Sequence, residues 1–135
     1  MGASRFADIP GNRQTFSFAV ASAASAATGT TGGVYIPSAG IIRSVNYVLQ
    51  ASQAAATVAR SFQLINLSTD GTGTVIAASV AVPTASAVAN GFLNFPVVAA
   101  ASTVIASTVL GHKVASSTEN VTHPAMTAVI EIEYT

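Results

Sequence analysis

The clearest pattern in the sequence is an alternation of apolar and polar side chains over its last eleven residues, 125–135. The apolar positions are Met126, Ala128, Ile130, Ile132 and Tyr134, and the positions between them are Thr127, Val129, Glu131, Glu133 and Thr135. A period of two with one mostly polar face is typical of a half-buried β-strand. We therefore expect this segment to lie within a sheet, with its apolar side facing a core.

Shorter alternations upstream predict the partners of that strand. The first of them, Thr15–Ala21, places Phe16, Phe18 and Val20 on one face. In the longest, Ile41–Gln50, the period of two places five residues on one face: Ile41, Arg43, Val45, Tyr47 and Leu49. The other predicted strands are 33–36, 58–67, 74–82, 92–97 and 103–114.

Glycine and proline mark the connections between these strands. Asp70-Gly71 lies between two apolar runs and supplies the positive φ angles that a hairpin loop requires. Pro96 confines its strand to a sheet edge or a bulge, and Gly111 is expected to break the strand 103–114. The small-residue run Ser22–Gly33 has too little side-chain volume to pack a core, so it is predicted to be a loop.

About eight short strands without a long amphipathic helix indicate an all-β protein. The pattern favours an antiparallel β-sandwich or barrel, and eight strands favour a jelly-roll-like arrangement. Residues 15–135 are therefore predicted to form a single β-sandwich domain. Residues 1–14 have no periodicity and are predicted to form an extended N-terminal arm.

Charge changes this picture most, because only 7% of the 135 residues are charged, with five basic and five acidic residues and no net charge. A typical soluble domain has about 25% charged residues. The surface must therefore be covered by neighbouring molecules or kept wet by Ser, Thr, Asn and Gln. The apolar residues are scattered, and no stretch approaches the length of a membrane span, so no membrane partner is expected.

No arrangement of residues in the sequence predicts catalysis, a cofactor or a metal. His112 is expected at a strand bulge or rim and His123 in a surface loop, and the two lack a metal-ligand spacing. Glu131 and Glu133 share a strand face, where charge keeps one sheet from pairing with another. There is no cysteine, and the five basic residues are too dispersed for a nucleic-acid partner. The sequence therefore predicts a protein that is not an enzyme.

The arm is the one segment whose composition suggests a contact with a partner. Arg5, Phe6, Ile9, Pro10 and Arg13 combine apolar anchors with basic residues, a mixture that does not fold alone. One interpretation is a frayed tail. The other is a segment that becomes ordered on a partner, with Phe6 and Ile9 buried and the arginines paired at the rim.

Several segments together resemble the small β-sandwich virion proteins of tailed phages. These are a polar arm before Phe16-Ser17-Phe18, the stretches 36–42 and 90–95, and the ending Ile130-Glu131-Ile132-Glu133-Tyr134. The resemblance implies a capsid decoration or cement protein that binds and stabilises the assembled shell. It also implies the major capsid protein and copies of this chain as partners, with a trimer as the favoured oligomer. Its location would be the capsid surface of the virion, after synthesis in the host cytoplasm.

Two other functions compete with this one. A carbohydrate-binding or receptor-binding module of a phage tail or surface protein would also use a β-sandwich, but the chain has no Trp to form a sugar platform. An ice-binding surface would use the abundant Ala, Ser and Thr, but the regular Thr-x-Thr repeat of a flat array is absent.

Overall fold

Two antiparallel β-sheets packed face to face form the protein, as seen in a computed structural model that describes residues 9–26, 30–51, 60–82, 92–116 and 121–135. Within these ranges the strands are β1 (Arg13–Val20), β2 (Ala23–Ala26), β3 (Thr30–Ile36), β4 (Gly40–Leu49), β5 (Arg60–Asn66), β6 (Val75–Val82), β7 (Phe92–Asn94), β8 (Thr103–Val104), β9 (Thr108–Ser116), β10 (Val121–His123) and β11 (Met126–Tyr134). Within the same ranges, a 3-10 turn covers Ala99–Ala101. No helix in the described ranges has the length and hydropathy to cross a membrane.

Nine of the strands described here form the two main sheets. The first sheet has the order β1-β11-β4-β7, with β8 paired to the beginning of β4, and the second has the order β3-β9-β5-β6. The short strands β2 and β10 pair with each other. The predicted all-β sandwich is therefore confirmed, with β2 and β10 in addition to the expected strands and with the predicted strand 103–114 divided into β8 and β9.

The core lies between the two sheets and takes alternate residues from each. Along β11 every second residue from Met126 to Tyr134 is buried, which confirms the predicted face. Strand β11 is held between β1 and β4, so both of its edges are hydrogen-bonded. Tyr47 of β4 stacks on Phe95 in the interior, with ring centroids 4.1 Å apart. Burial of Ile130 and Ile132 contributes about 1.5–3 kcal/mol each.

A β-bulge in β4 changes which residues face the core. Ser44 is opposite Glu131, but Ile42 is already opposite Ile132, so Arg43 is the extra residue. One inserted residue reverses the alternation on one side of the bulge. Ile42 is consequently buried while Ile41 is not. The prediction that Ile41 shares a face with Val45 is wrong for this reason.

The small-residue run Ser22–Gly33, predicted to be a loop, contains β2 and the beginning of β3. Its strands form because β10 and β9 provide backbone partners, which local side-chain size does not reveal. Gly33 lies where a Cβ atom would come within 2.5 Å of the carbonyl oxygen of Leu110. Close approach of β3 to β9 therefore requires glycine at this position.

The predicted break at Gly111 is also wrong, because β9 continues through it and Gly111 pairs with Ile65. The chain instead turns at residues 105–107, where it passes from the first sheet to the second and Ser107 takes a φ of 67°. The predicted hairpin at Asp70-Gly71 is confirmed. Gly71 has a φ of 79°, and Asp70 Oδ1 accepts a hydrogen bond from the Thr72 backbone N–H at 3.0 Å.

Candidate functional site

Ion pairs between three strands cover one end of the outer face of the first sheet. The Arg43 guanidinium holds Glu133 with two hydrogen bonds, Nε to Oε2 at 3.2 Å and Nη2 to Oε1 at 3.1 Å. Arg13 bridges the two carboxylates, with Nη1 3.0 Å from Glu131 Oε1 and Nε 3.2 Å from Glu133 Oε2. We call Arg13, Arg43, Glu131 and Glu133 the charged cluster.

Strand register and the bulge assemble the charged cluster. Arg13 is directly opposite Glu133 in the β1–β11 ladder, and the bulge turns Arg43 to the outer face. The hydrogen bonds from Arg43 are the main cause that lowers the pKa of Glu133, and Glu133 in turn raises the pKa of Arg43. A carboxylate stabilised in this way stays ionised at neutral pH and is a poor general acid. The charged cluster therefore links the side chains of β1, β11 and β4 and presents little net charge at the surface.

The other end of this outer face is neutral and partly apolar. Ladder pairing places Ala19, Thr127, Val48 and Phe92 in one row across β1, β11, β4 and β7. Phe92 is 70% exposed at the edge of the sheet. The next row contains Asn94, whose Nδ2 donates to Asn46 Oδ1 at 3.0 Å. This end of the sheet can therefore contact an apolar partner around Phe92.

A second apolar area lies on the outer face of the other sheet. Tyr35 is opposite Val109, and Ile65 is opposite both Gly111 and Ile76, which places Tyr35, Ile65, Ile76 and Val109 on the outward side. We call these four residues the apolar patch; Ile65 is only 2% exposed, so the accessible area comes from Tyr35, Ile76 and part of Val109. Tyr35 is 56% exposed, and its hydroxyl is 3.0 Å from Ser107 Oγ. Exposed apolar area on a protein with so few charges is a candidate interface.

Two buried histidines lie close together in the interior. His112 of β9 and His123 of β10 are 3% and 6% exposed, so the predictions of a rim and a surface loop are wrong. Their ring centroids are 6.1 Å apart, and the His123 ring meets Phe62 edge-on at 5.6 Å. The Tyr47 hydroxyl is 3.0 Å from His112 Nδ1. We call His112 and His123 the histidine pair.

Burial is the main influence on the charge state of this group. Desolvation, and then repulsion from His123, lowers the pKa of His112 to about 4. Burial also raises the pKa of Tyr47. At neutral pH, His112 is therefore uncharged. Its burial is visible in the sequence, because Leu110, His112 and Val114 alternate in the same way as the predicted strands, but Gly111 concealed this by suggesting a break.

The predicted contact residues of the arm fall into three groups. Arg5 and Phe6 lie outside the described residues. Ile9 and Pro10 lie in a turn before β1, closed by the Asn12 N–H bonded to the Ile9 carbonyl at 3.0 Å, and both are exposed. Arg13 belongs to β1 and to the charged cluster.

The boundary between the arm and the sandwich therefore lies earlier than position 15. The Gly11 N–H donates to the Tyr134 carbonyl at 2.7 Å, and the Tyr134 N–H donates to the Asn12 carbonyl at 2.8 Å. These bonds join residues 11 and 12 to the end of β11. In the described part of the chain, no three His, Asp or Glu side chains are grouped so that they could hold a metal ion.

Comparisons with known proteins give a likeness in structure. No protein family model matches the sequence. No curated protein matches it either. Among solved structures, the chain is similar to one from the capsid asymmetric unit of cyanophage Pam1, with 13% sequence identity and a TM-score of 0.50. The match covers 100% of this chain and 94% of the other. At this identity the likeness shows a shared fold.

Proposed function

We propose that this protein is a structural component of a phage capsid and performs no catalysis. The observation that carries the proposal is the likeness in fold, over the whole chain, to a chain of the cyanophage Pam1 capsid asymmetric unit. The low charge content agrees with a protein whose surface is covered by neighbours.

The order of the strands adds support. The order is β1-β11-β4-β7 in the first sheet and β3-β9-β5-β6 in the second. Most connections between successive main strands therefore pass from one sheet to the other. We interpret this order as that of an eight-stranded jelly roll, an architecture found in viral capsid proteins and in lectins. The fold is thus compatible with a capsid protein and with a lectin. The choice between these two classes of protein depends on the residues exposed at the surface.

Within the capsid, we assign the protein to the decoration or cement type, attached to the outer surface of the assembled shell after synthesis in the host cytoplasm. Its partners would be the major capsid protein and copies of itself. Such a protein acts by burying surface across several neighbours and needs no reactive group. The charged cluster, in which two arginines pair with two glutamates, presents little net charge to a partner.

Self-association would use the apolar patch. Tyr35 and Ile76 are both exposed on the outer face of the second sheet, and Ile65 and Val109 lie between them in the strand order. We favour a trimer, in which the apolar patch of each subunit would face the three-fold axis and contact both neighbours. The first sheet, with Phe92 and the arm at its edges, would then remain available to the shell.

The arm would provide the attachment to the shell. Ile9 and Pro10 are exposed just outside the end of β11, so apolar contacts there can extend from the sandwich to a neighbour. Phe6 would act as the second anchor and Arg5 as a rim residue. Arg13 would take part only if it exchanged an ion pair within the charged cluster for one with the partner.

The alternative function, a carbohydrate-binding or receptor-binding module, would need an aromatic platform. The exposed aromatic residues Tyr35 and Phe92 belong to different sheets, so these two do not form one platform. Glycan-array binding by the purified protein, with loss of binding in Tyr35→Ala, would favour this alternative.

Analysis of purified virions tests the proposal directly. Particles of the phage that encodes this chain are purified by density gradient and analysed by quantitative mass spectrometry. We expect the chain at a fixed ratio to the major capsid protein. Absence of the chain from particles that contain all other structural proteins would overturn the proposal. Purified protein mixed with shells that lack it should sediment with them, and protein without shells is the control.

A further inference from the structure

The paired strands β2 and β10, which we call the ribbon, continue the ladder of the first sheet toward the second sheet. The β1–β11 ladder ends at the pair Val20 and Met126, and after a short break His123 pairs with Ala23. Neither β2 nor β10 pairs with a strand of the main sheets within the described ranges. The short links 21–22 and 124–125 tie one end of the ribbon to the first sheet, and its packing on the second sheet depends on side-chain contacts.

His123 makes those contacts with the second sheet. Its ring lies edge-on to Phe62 of β5 and to His112 of β9, at 5.6 and 6.1 Å between centroids. The His123 Nδ1 is 2.9 Å from the Pro124 carbonyl, a geometry that orients the ring. The ribbon thus contacts the second sheet through the imidazole of His123, which packs against the imidazole of His112.

Among the described residues, few groups near the histidine pair could balance a positive charge. From β4 the facing titratable group is Tyr47, whose hydroxyl bonds to His112, and from β10 it is His123. The described side chains of β3 and β5 present no titratable group there. Among the described residues, the buried polar side chains are Thr108, His112 and His123, and none of them is a carboxylate. Protonation would place a cation among aromatic rings.

We propose that the histidine pair is an acid-sensitive latch that holds the ribbon against the second sheet when neutral and releases it when protonated. Release would bring water to His112 and separate the two rings. Desolvation and repulsion from His123, the two causes that oppose protonation of His112, would both disappear in the open state. The proposal depends on the geometry of the ribbon and is independent of the proposed function in a capsid.

The direction of the pH effect follows from linkage. In the closed state the pKa of His112 is about 4, whereas an imidazole in water has a pKa of about 6.5. Well above pH 6.5 neither state binds the proton, so pH has no effect. Between pH 6.5 and 4 the open state binds a proton that the closed state excludes, and opening becomes more favourable as pH falls. At pH 5 the opening equilibrium constant should be roughly 30-fold larger than at pH 7.5.

Amide hydrogen exchange at pH 7.5 and pH 5 tests the latch. After correction for intrinsic exchange rates, protection of the ribbon amides should fall by roughly 30-fold. It should change little with low concentrations of urea, because the ribbon opens without global unfolding, whereas protection in the centre of β4 and β11 should decrease with urea. Unchanged protection of the ribbon between the two pH values would overturn the proposal. Ribbon protection as high and as sensitive to urea as that of β4–β11 would also overturn it, since that result means that the ribbon opens only by global unfolding.

Variants distinguish the effect of protonating His112 from the effect of protonating other groups. His112→Gln removes the main proton site and should abolish the pH dependence of ribbon protection, and His123→Phe should reduce it. Lys113→Gln, a change of charge at the neighbouring position, is the matched control and should behave as the native protein. If His112→Gln retains the full pH dependence, the proposal is wrong. If that variant does not fold, the pH profile of the native protein decides: loss of ribbon protection that begins only below pH 5 would overturn the proposal, because an open state with a free imidazole would lose protection from about pH 6.5 downward.

Discussion

Single residues determine the geometry of the sheets at two places, the bulge at Arg43 and the close approach at Gly33. At the bulge, the extra residue turns a guanidinium outward to Glu133 while Ile42 turns into the core. At Gly33, the missing side chain lets β3 approach the Leu110 carbonyl and the Phe18 ring. Neither the charge of Arg43 nor the missing side chain of Gly33 shows this effect in the sequence. The effect of each residue depends on neighbours from distant strands.

The substitution Gly33→Ala should lower the free energy of unfolding by about 1–3 kcal/mol, because the new Cβ overlaps backbone that cannot move independently. Its Cβ would be 2.5 Å from the Leu110 carbonyl oxygen. Gly32→Ala is the matched control, since a Cβ at Gly32 meets nothing within 4 Å. Urea unfolding monitored by circular dichroism measures both variants. Equal stability of the two variants would contradict this account of β3.

At the level of strands, the sequence predicts those elements whose own alternation is long enough to show. Strand β11 has nine residues with strict alternation, and its buried face was predicted in full. Strands β2 and β10 have four and three residues, and their pairing joins positions about a hundred residues apart. Pairing of this kind leaves no local pattern, because the partner and not the segment determines the conformation.

The same limit explains the incorrect prediction for the histidine pair. A histidine that precedes a proline in a polar segment resembles a loop residue, and only the contact of His123 with Phe62 shows otherwise. The charged cluster was predicted in part. Glu131 and Glu133 were placed on one outer face, but the sequence does not show that Arg13 and Arg43 meet them there, because ladder register and a bulge decide this.

The central strand β11 should be the element on which folding depends most. Ile130→Ala removes a fully buried side chain and should lower the free energy of unfolding by about 2–5 kcal/mol. Val129→Ala, one position away on the outer face, is the control and should cost about 0.5 kcal/mol or less. Chemical denaturation measures both. A small effect at Ile130 would mean that the core does not centre on this strand.

For the whole molecule, the important property is a surface with few charges that, in the described part of the chain, has an apolar area on each main sheet. The charges that are described on the first sheet are largely paired with each other within the charged cluster. The apolar patch and Phe92 lie on different sheets, so each can meet a different neighbour. A protein with two such surfaces can bind copies of itself through one and a shell through the other.

Self-association should depend on the apolar patch. We expect the native protein to be an oligomer at micromolar concentration and the double variant Tyr35→Glu, Ile76→Glu to be a monomer, because charge in the patch opposes burial. Phe92→Ser changes the other sheet and should leave the oligomer intact. Light scattering coupled to size exclusion measures all three. A native mass of 13.5 kDa across this concentration range would show that the patch does not hold copies together.

Attachment to a shell should depend on the arm. The structure shows which residues of the arm can be removed without loss of the bonds that join it to the sandwich. Removal of residues 2–8 eliminates Arg5 and Phe6 but keeps the bonds from residues 11 and 12 to Tyr134 and the ion pairs of Arg13. We therefore expect an unchanged melting temperature together with weaker binding to shells in a sedimentation assay. Burial of Phe6 alone would contribute about 1.5–3 kcal/mol at each contact, before the cost of ordering the chain.

Two further variants identify the part of the arm that acts. Arg13→Ala breaks the charged cluster without removing Phe6, so it should change stability slightly and leave binding to shells close to the native level. Removal of residues 2–13 should weaken both properties, since it also removes the bonds to Tyr134. Equal binding to shells by the native protein and the variant lacking residues 2–8 would move the contact from the arm to the sandwich, with Phe92 as the next position to substitute.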